Sequence, residues 1–324
     1  MDNHEKYQLI RLPDDHWRKL GKDLVLPPRV KRLLLRYGIY RLRYGSKGRT
    51  YGLMTLKGPP GTGKSDTVRW AADAVVRMLR TQGNGLVINA QALFDEHLGK
   101  SPKLVAEILE DIQLSARRGP TVVIWDDAES LFVSRRQSLD SHDPTDCVRV
   151  TTTLLHGLDR LRYEANVLQF ATLNIEGVVD EAIVSRCDLV LPFELPTYDE
   201  RLAILQRLLK GLAGESVLPI LTDATEDKSG RELGKIEMLA FLAGTADTPE
   251  KLTAEDFLSA VGLTLDSVVG IDEPITPEKV KEEEEPCMNS SNNGYPVVAI
   301  PRKSRWSLPL RLFARQPASS SFQA

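Results

Sequence analysis

Between residues 51 and 195 short apolar runs alternate with longer stretches whose apolar positions recur every three to four residues. The short runs are GLMTLK (52–57), GLVINA (85–90), TVVIW (121–125), VLQFATLN (167–174) and DLVLPF (188–193). Between them lie TVRWAADAVVRMLR, KLVAEILEDIQLSARR, VRVTTTLLHGLDRLR and the short DEAIVSR. The β-rich runs are bounded by helical periodicity, which predicts an α/β fold: a parallel five-stranded sheet flanked by helices. From 196 to 268 the strands stop. DERLAILQRLLKGL, RELGKIEMLAFLAG and TAEDFLSAVGLTL predict a small α-helical lid domain, with Thr197 and Thr253 suited to cap helix starts. The large domain is expected over 26–195, after an N-terminal segment, 1–25.

Residues 29–49 carry eight basic side chains and no acidic one. Leu33, Leu34 and Leu35 with Ile39 predict a short amphipathic helix before an extended piece. Its charge is read either as a solvated face or as a nucleic-acid or subunit contact. From 269 to 324 an acidic stretch, EKVKEEEE, gives way to polar and then basic, proline-interrupted sequence, a composition that predicts disorder.

The net charge of −3 excludes a chain dominated by polyanion binding, so nucleic acid is not expected as the main ligand, although a local basic patch is compatible with it. Cys147, Cys187 and Cys287 are far apart and lack metal-ligand spacing, as free thiols in a reducing compartment would be. No apolar run approaches the roughly 20 residues of a membrane helix. The first residues, MDNHEKYQLI, have no apolar signal core. A cytoplasmic protein without a membrane partner is expected, or a nuclear one in a eukaryote.

The chemistry sits at the ends of the predicted strands. GPPGTGKS (Gly58, Pro59, Pro60, Gly61, Thr62, Gly63, Lys64, Ser65) follows one strand and opens a helix, matching G-x-x-x-x-G-K-[ST]. Glycines there let backbone N–H groups turn toward phosphate oxygens. Lys64 supplies a fixed positive charge to the β- and γ-phosphates of ATP, and the Ser65 hydroxyl can hold Mg²⁺. One βα unit later VVIWDD delivers Asp126, placed to organise the metal, and Asp127, placed to polarise the attacking water. Asn174 ends the fourth strand, as a water-orienting amide or as a turn residue. Arg186 lies where it could serve a neighbouring subunit's γ-phosphate as an arginine finger, or simply complement a helix C-terminus.

These elements, in this order, resemble the AAA+ ATPase superfamily over residues 25–265. Within it the chain is similar to the HORMA-remodelling branch: the pachytene checkpoint (thyroid-receptor-interacting protein thirteen) ATPases and their short bacterial relatives. The matching stretches are VLPPRVKRLLL, INAQALFDEHLGKSPKLV, DDAESL, DEAIVSRCDL and SGRELGKIEMLA. The resemblance implies an ATP-driven homo-oligomeric ring, a hexamer, that threads part of a HORMA protein through a central pore. It places Arg231 as a sensor arginine on a lid helix, and His97, Leu98 and Gly99 in the substrate-gripping pore loop. The short leading segment fits the bacterial type, for which the resemblance implies a role in cyclic-oligonucleotide anti-phage signalling, and equally fits a truncated or lineage-specific eukaryotic member.

Two departures stand out. The branch has Glu where this chain has Asp127, setting the carboxylate back by about 1.5 Å, one C–C bond. A misplacement of that size can cost on the order of 10²-fold in rate. The pore loop offers His97 where an aromatic residue is usual. Both departures keep open a second reading, a nucleotide-gated scaffold with little turnover. A third reading, a DNA-associated ATPase, rests on the 29–49 basic run alone.

Overall fold

The computed structural model describes residues 7–45, 49–90, 93, 100–132, 144–174, 179–210, 212, 217–244, 246–253, 256, 257 and 260. The stretch from 269 to 324 lies outside them. Six strands form one sheet: β1 (Gln8–Leu12), β2 (Leu53–Lys57), β3 (Gly83–Asn89), β4 (Thr121–Asp126), β5 (Val167–Leu173) and β6 (Leu189–Pro192). Their spatial order is β1-β3-β4-β5-β2-β6. β2 to β6 are parallel to one another, as the apolar runs predict. The leading segment adds β1, which lies antiparallel along β3 with Ile10 opposite Gly85.

Before the second strand come α1 (Asp15–Asp23) and α2 (Pro28–Tyr44). The crossovers are α3 (Lys64–Met78), α4 (Lys100–Ala116), the pair α5 (Glu129–Phe132) and α6 (Pro144–Leu161), and the short α7 (Glu181–Val184). Helices cover both faces of the central strands, so β5 is buried throughout, β2 and β4 at all but their final positions, and their hydrophobic runs need not alternate. On one face Val123, Trp125, Ala171 and Leu173 pack with Ile108 and Ile112 of α4 and Leu154 and Leu158 of α6. On the other, Val122, Ile124, Leu168 and Phe170 meet Val68, Ala71 and Val75 of α3, Leu34 of α2 and Trp17 of α1.

Helix α2 is longer than its sequence predicts, running through Gly38 and the β-branched Ile39 to Tyr44. Packing explains the difference. A Cβ on Gly38 would lie 2.6 Å from Val75 Cγ2, so only glycine lets α2 approach α3 this closely. Beyond it Arg41 turns inward and is fully buried. Its guanidinium donates to the carbonyls of Val167, Gly45, Leu161 and Glu164 at 2.7–3.1 Å, tying α2 to the end of α6 and the start of β5.

Beyond the sheet, α8 (Tyr198–Leu208), α9 (Val217–Ala224), α10 (Gly230–Leu233) and α11 (Ile236–Ala243) share a separate core around Leu205, Leu221, Leu233, Leu239 and Phe257. Thr197 caps α8 in a reciprocal box with Glu200, and Thr253 exchanges hydrogen bonds with Asp256 in the same way. RELGKIEMLAFLAG divides into two helices where Gly234 caps the first.

Candidate functional site

The site lies where β2, β5 and β4, three neighbours in the sheet, end at the same edge. β2 runs into the loop 58–63. Gly61 and Gly63 adopt left-handed φ values of 75° and 83°, conformations that side chains disfavour. Gly58 has no room for a Cβ, which would fall 1.8 Å from the Phe193 carbonyl oxygen. Gly63 caps α3, a 15-residue helix, so the first N–H groups and the positive end of its dipole face the loop.

Lys64 is 4% exposed, and its ammonium donates to the carbonyls of Gly58 at 2.8 Å and Pro59 at 2.6 Å. Burial pushes its pKa down, Glu129, Asp127 and Asp126 oppose that shift, and the charge of Arg231 adds to it.

Asp126 is held on both oxygens. Ser65 Oγ and Thr172 Oγ1 each donate to Oδ1 at 2.8 Å, and Arg69 donates to Oδ2 at 2.8 Å. Asp127 sits at φ 50°, in the left-handed region, with its N–H on Thr172 Oγ1 at 3.0 Å. Asn174 donates its side-chain amide to Asp127 Oδ1 at 2.7 Å, and its backbone N–H to Glu129 Oε1 at 3.1 Å. The other Glu129 oxygen is buried without a hydrogen-bond partner in this structure.

The helices after the sheet reach this loop. The Arg231 backbone N–H donates to the Gly61 carbonyl at 3.1 Å. A Cβ on Gly61 would sit 2.7 Å from Ser229 Oγ. The Arg231 side chain is exposed beside them.

Arg186 is elsewhere. It makes a fork-to-fork pair with Asp159 at 2.9 and 2.8 Å, donates to the Ala182 carbonyl at 2.9 Å, and lies 5.9 Å from the Tyr51 ring centre. Tyr51 precedes β2 whereas Gly58 follows it, and the strand between spans roughly 17 Å. The fork holds the Asp159 carboxyl below its ordinary value and raises that of Arg186. Thus Lys64, Ser65, Asp126, Asp127, Asn174 and Arg231 come together around the loop 58–63, and Arg186 does not join them. His97, Leu98 and Gly99 lie outside the described residues.

Two partners are not readable from the sequence. Thr172 is two residues before Asn174 on β5, a polar side chain in an apolar strand. Arg69 follows Ser65 by one helical turn and so shares its face.

The residues also suit a divalent cation. Mg²⁺ keeps several waters and takes only one or two protein oxygens. Ser65 Oγ and Asp126 Oδ1 supply two, already in contact beside the phosphate-facing loop.

Residues 54–195 match the family model described as ATPase family associated with various cellular activities. The chain is 30% identical over 271 residues to CD-NTase-associated protein 6 of Pseudomonas aeruginosa, covering 78% of this chain and 89% of that protein. It is 30% identical over 222 residues to the pachytene checkpoint protein 2 homolog of Arabidopsis thaliana, covering 64% and 47% respectively, so it spans about half of that plant relative. Among solved structures, a chain from "Structure of E. coli MS115-1 HORMA:CdnC:Trip13 complex" has a TM-score of 0.71 at 18% identity, covering 80% of this chain and 95% of that one. C. elegans PCH-2 has a TM-score of 0.68 at 24% identity, covering 80% and 76%. At these identities the two structures speak for the fold. Among the described residues no helix is long and apolar enough to cross a membrane.

Proposed function

The chain belongs to the ATPase family associated with various cellular activities, and from that premise we propose that it hydrolyses ATP to remodel a HORMA-domain protein. The observation that carries the ATPase half is the convergence of Lys64, Ser65, Asp126, Asp127 and Asn174 at the ends of three adjacent strands. The HORMA half is supported by the relatives, one described in complex with HORMA and CdnC and one named as associated with a CD-NTase. A role in cyclic-oligonucleotide anti-phage signalling is the biological setting that this second name favours.

Each residue then has a task. The loop N–H groups and Lys64 bind the phosphates of ATP. Ser65 and Asp126 hold Mg²⁺, with Thr172 and Arg69 fixing the carboxylate. Mg²⁺, when bound, neutralises charge on the phosphate oxygens. Asp127 orients and deprotonates the attacking water, and Asn174 holds one of its oxygens so that the other faces the substrate. Arg231 senses the nucleotide from α10. Arg186 cannot reach its own chain's γ-phosphate along β2, so it acts on a neighbour's, which makes a ring, in our reading a hexamer, the working form. His97, Leu98 and Gly99 grip the threaded segment.

The scaffold reading keeps one specific support: Asp127 is a methylene short, and one of its oxygens is already taken by Asn174. Steady-state phosphate release with ATP and Mg²⁺, measured beside Lys64→Ala and with a HORMA protein added, separates the two. Turnover that vanishes in Lys64→Ala supports the enzyme. ATP binding with no phosphate release, with or without the HORMA protein, would leave the scaffold.

A further inference from the structure

The basic run at 29–49 does not act as one surface, because α2 sorts its charges. Lys31 lies 5.8 Å from the Trp70 ring centre, and Arg41 is turned into the core. Arg29, Arg32, Arg36 and Arg43 are exposed, together with Leu33, Tyr40 and Tyr44. At 3.6 residues per turn these seven side chains fall within one stripe about 120° wide. Within the stripe they segregate. Arg32, Arg43, Arg36 and Arg29 occupy one flank; Tyr40, Leu33 and Tyr44 occupy the other. The stripe is about 22 Å long at 1.5 Å per residue. Tyr40 and Tyr44 are 49% and 60% exposed, with ring centres 6.0 Å apart. Helix α2 contains no acidic residue, and no ion pair among the described residues involves these four arginines.

A row of unneutralised guanidiniums beside a row of exposed aromatic rings matches one polymer in both chemistry and layout. A single nucleic-acid strand carries phosphates along one side and bases with stacking faces along the other. An acidic protein segment would use the arginines and leave the tyrosines idle. Arg41 and Gly38 hold α2 rigidly against the sheet, so the stripe is presented ready-made rather than ordered on binding. We propose that the exposed face of α2 is a docking surface for single-stranded nucleic acid, independent of the ATP site.

The test is fluorescence anisotropy of a labelled oligothymidylate of about 15 nucleotides, a length within the range single-strand sites cover. The full chain is titrated at several salt concentrations. With four phosphate contacts, the slope of log K against log salt is expected near −3, about −0.7 per contact. Arg36→Glu with Arg43→Glu should weaken binding at least tenfold and roughly halve that slope. Tyr40→Ala with Tyr44→Ala should weaken it on the order of tenfold or more while leaving the slope unchanged, and Tyr40→Phe should bind like the parent chain. Circular dichroism checks the fold; if the glutamates disturb it, Arg36→Gln with Arg43→Gln carries the same expectation. The proposal is overturned by no binding at low salt or by binding indifferent to these substitutions. It is equally overturned by polyglutamate competing as well as the oligonucleotide, which would mark an acidic-protein surface. A changed sedimentation coefficient in the arginine variants would also overturn it, as the sign of a subunit contact.

Discussion

The two ends of the central sheet are built on opposite plans. At the end where β2, β4 and β5 finish, polar groups gather around loop space, and one buried Glu129 oxygen lacks a partner. At the end where β2 begins, polar groups close on one another. Arg41 saturates its guanidinium with backbone carbonyls. Asp188 accepts from the N–H groups of Tyr51 and Gly52 and from the Tyr37 hydroxyl at 2.7–2.9 Å. Burial, more than the Asp188 charge beside it, drives the Tyr37 hydroxyl far above its ordinary pKa. The first end is arranged to bind a ligand, and the second to hold the fold together. Arg186 is the exception: the residue proposed as an arginine finger is lodged at the structural end, paired with Asp159.

Breaking that exception should give the largest effect. Arg186→Ala is expected to leave ATP affinity unchanged and to cut turnover by about 10³-fold or more, the range of an arginine finger. Phosphate release from subunits mixed with Lys64→Ala should partly recover; no recovery in rings shown to be mixed would return Arg186 to a purely structural pairing with Asp159. At the ligand end, Lys64→Ala should weaken ATP binding about 10- to 100-fold through loss of a charge-assisted contact, while the urea midpoint barely moves. A calorimetric titration and an unfolding curve on the same sample would check both halves.

Asp127→Glu sharpens the opening asymmetry differently. If the missing methylene limits the rate, restoring it should raise turnover by up to about 10²-fold; an unchanged rate would show that Asn174 and the left-handed backbone already compensate. At the structural end Arg41→Met should lose about 3 kcal/mol of stability as buried carbonyls go unpaired, read from chemical denaturation, with ATP affinity intact.

The smallest effect concerns acid. Arg186 holds the Asp159 carboxyl below its ordinary 3.8. A depressed carboxylate contributes stability above its unfolded value and loses it as pH falls through the folded one. An acid titration should therefore show a stability loss below about pH 4 that shrinks in Asp159→Asn.

Much of this was legible in the sequence, for reasons that differ by element. The central strands β2, β4 and β5 announce themselves because both faces are covered and their apolar runs are unbroken, whereas β6 is read from its short apolar run although it lies exposed at the sheet edge. β1, with Arg11 inside five residues and only Leu12 buried, carries no such signal. The phosphate loop and Asp126 are local patterns and could be read directly. Arg69 and Thr172 depend on which helix and strand face Asp126, a fact of packing. Arg41 was hidden by its surroundings in the chain. Amid seven other basic residues it reads as solvated, and only the carbonyls of a distant helix end and strand start make it a core residue.

The hydrogen bond from Arg231 to Gly61 has a mechanical meaning. The strand-to-helix loop and the start of α10 share a fastening with no slack, since even a methyl group on Gly61 would strike Ser229. Widening the loop must tug on α10, and through Leu233 on the core it belongs to. Chemistry at the loop would reach those helices as displacement, the way a key turning in a lock moves the bolt.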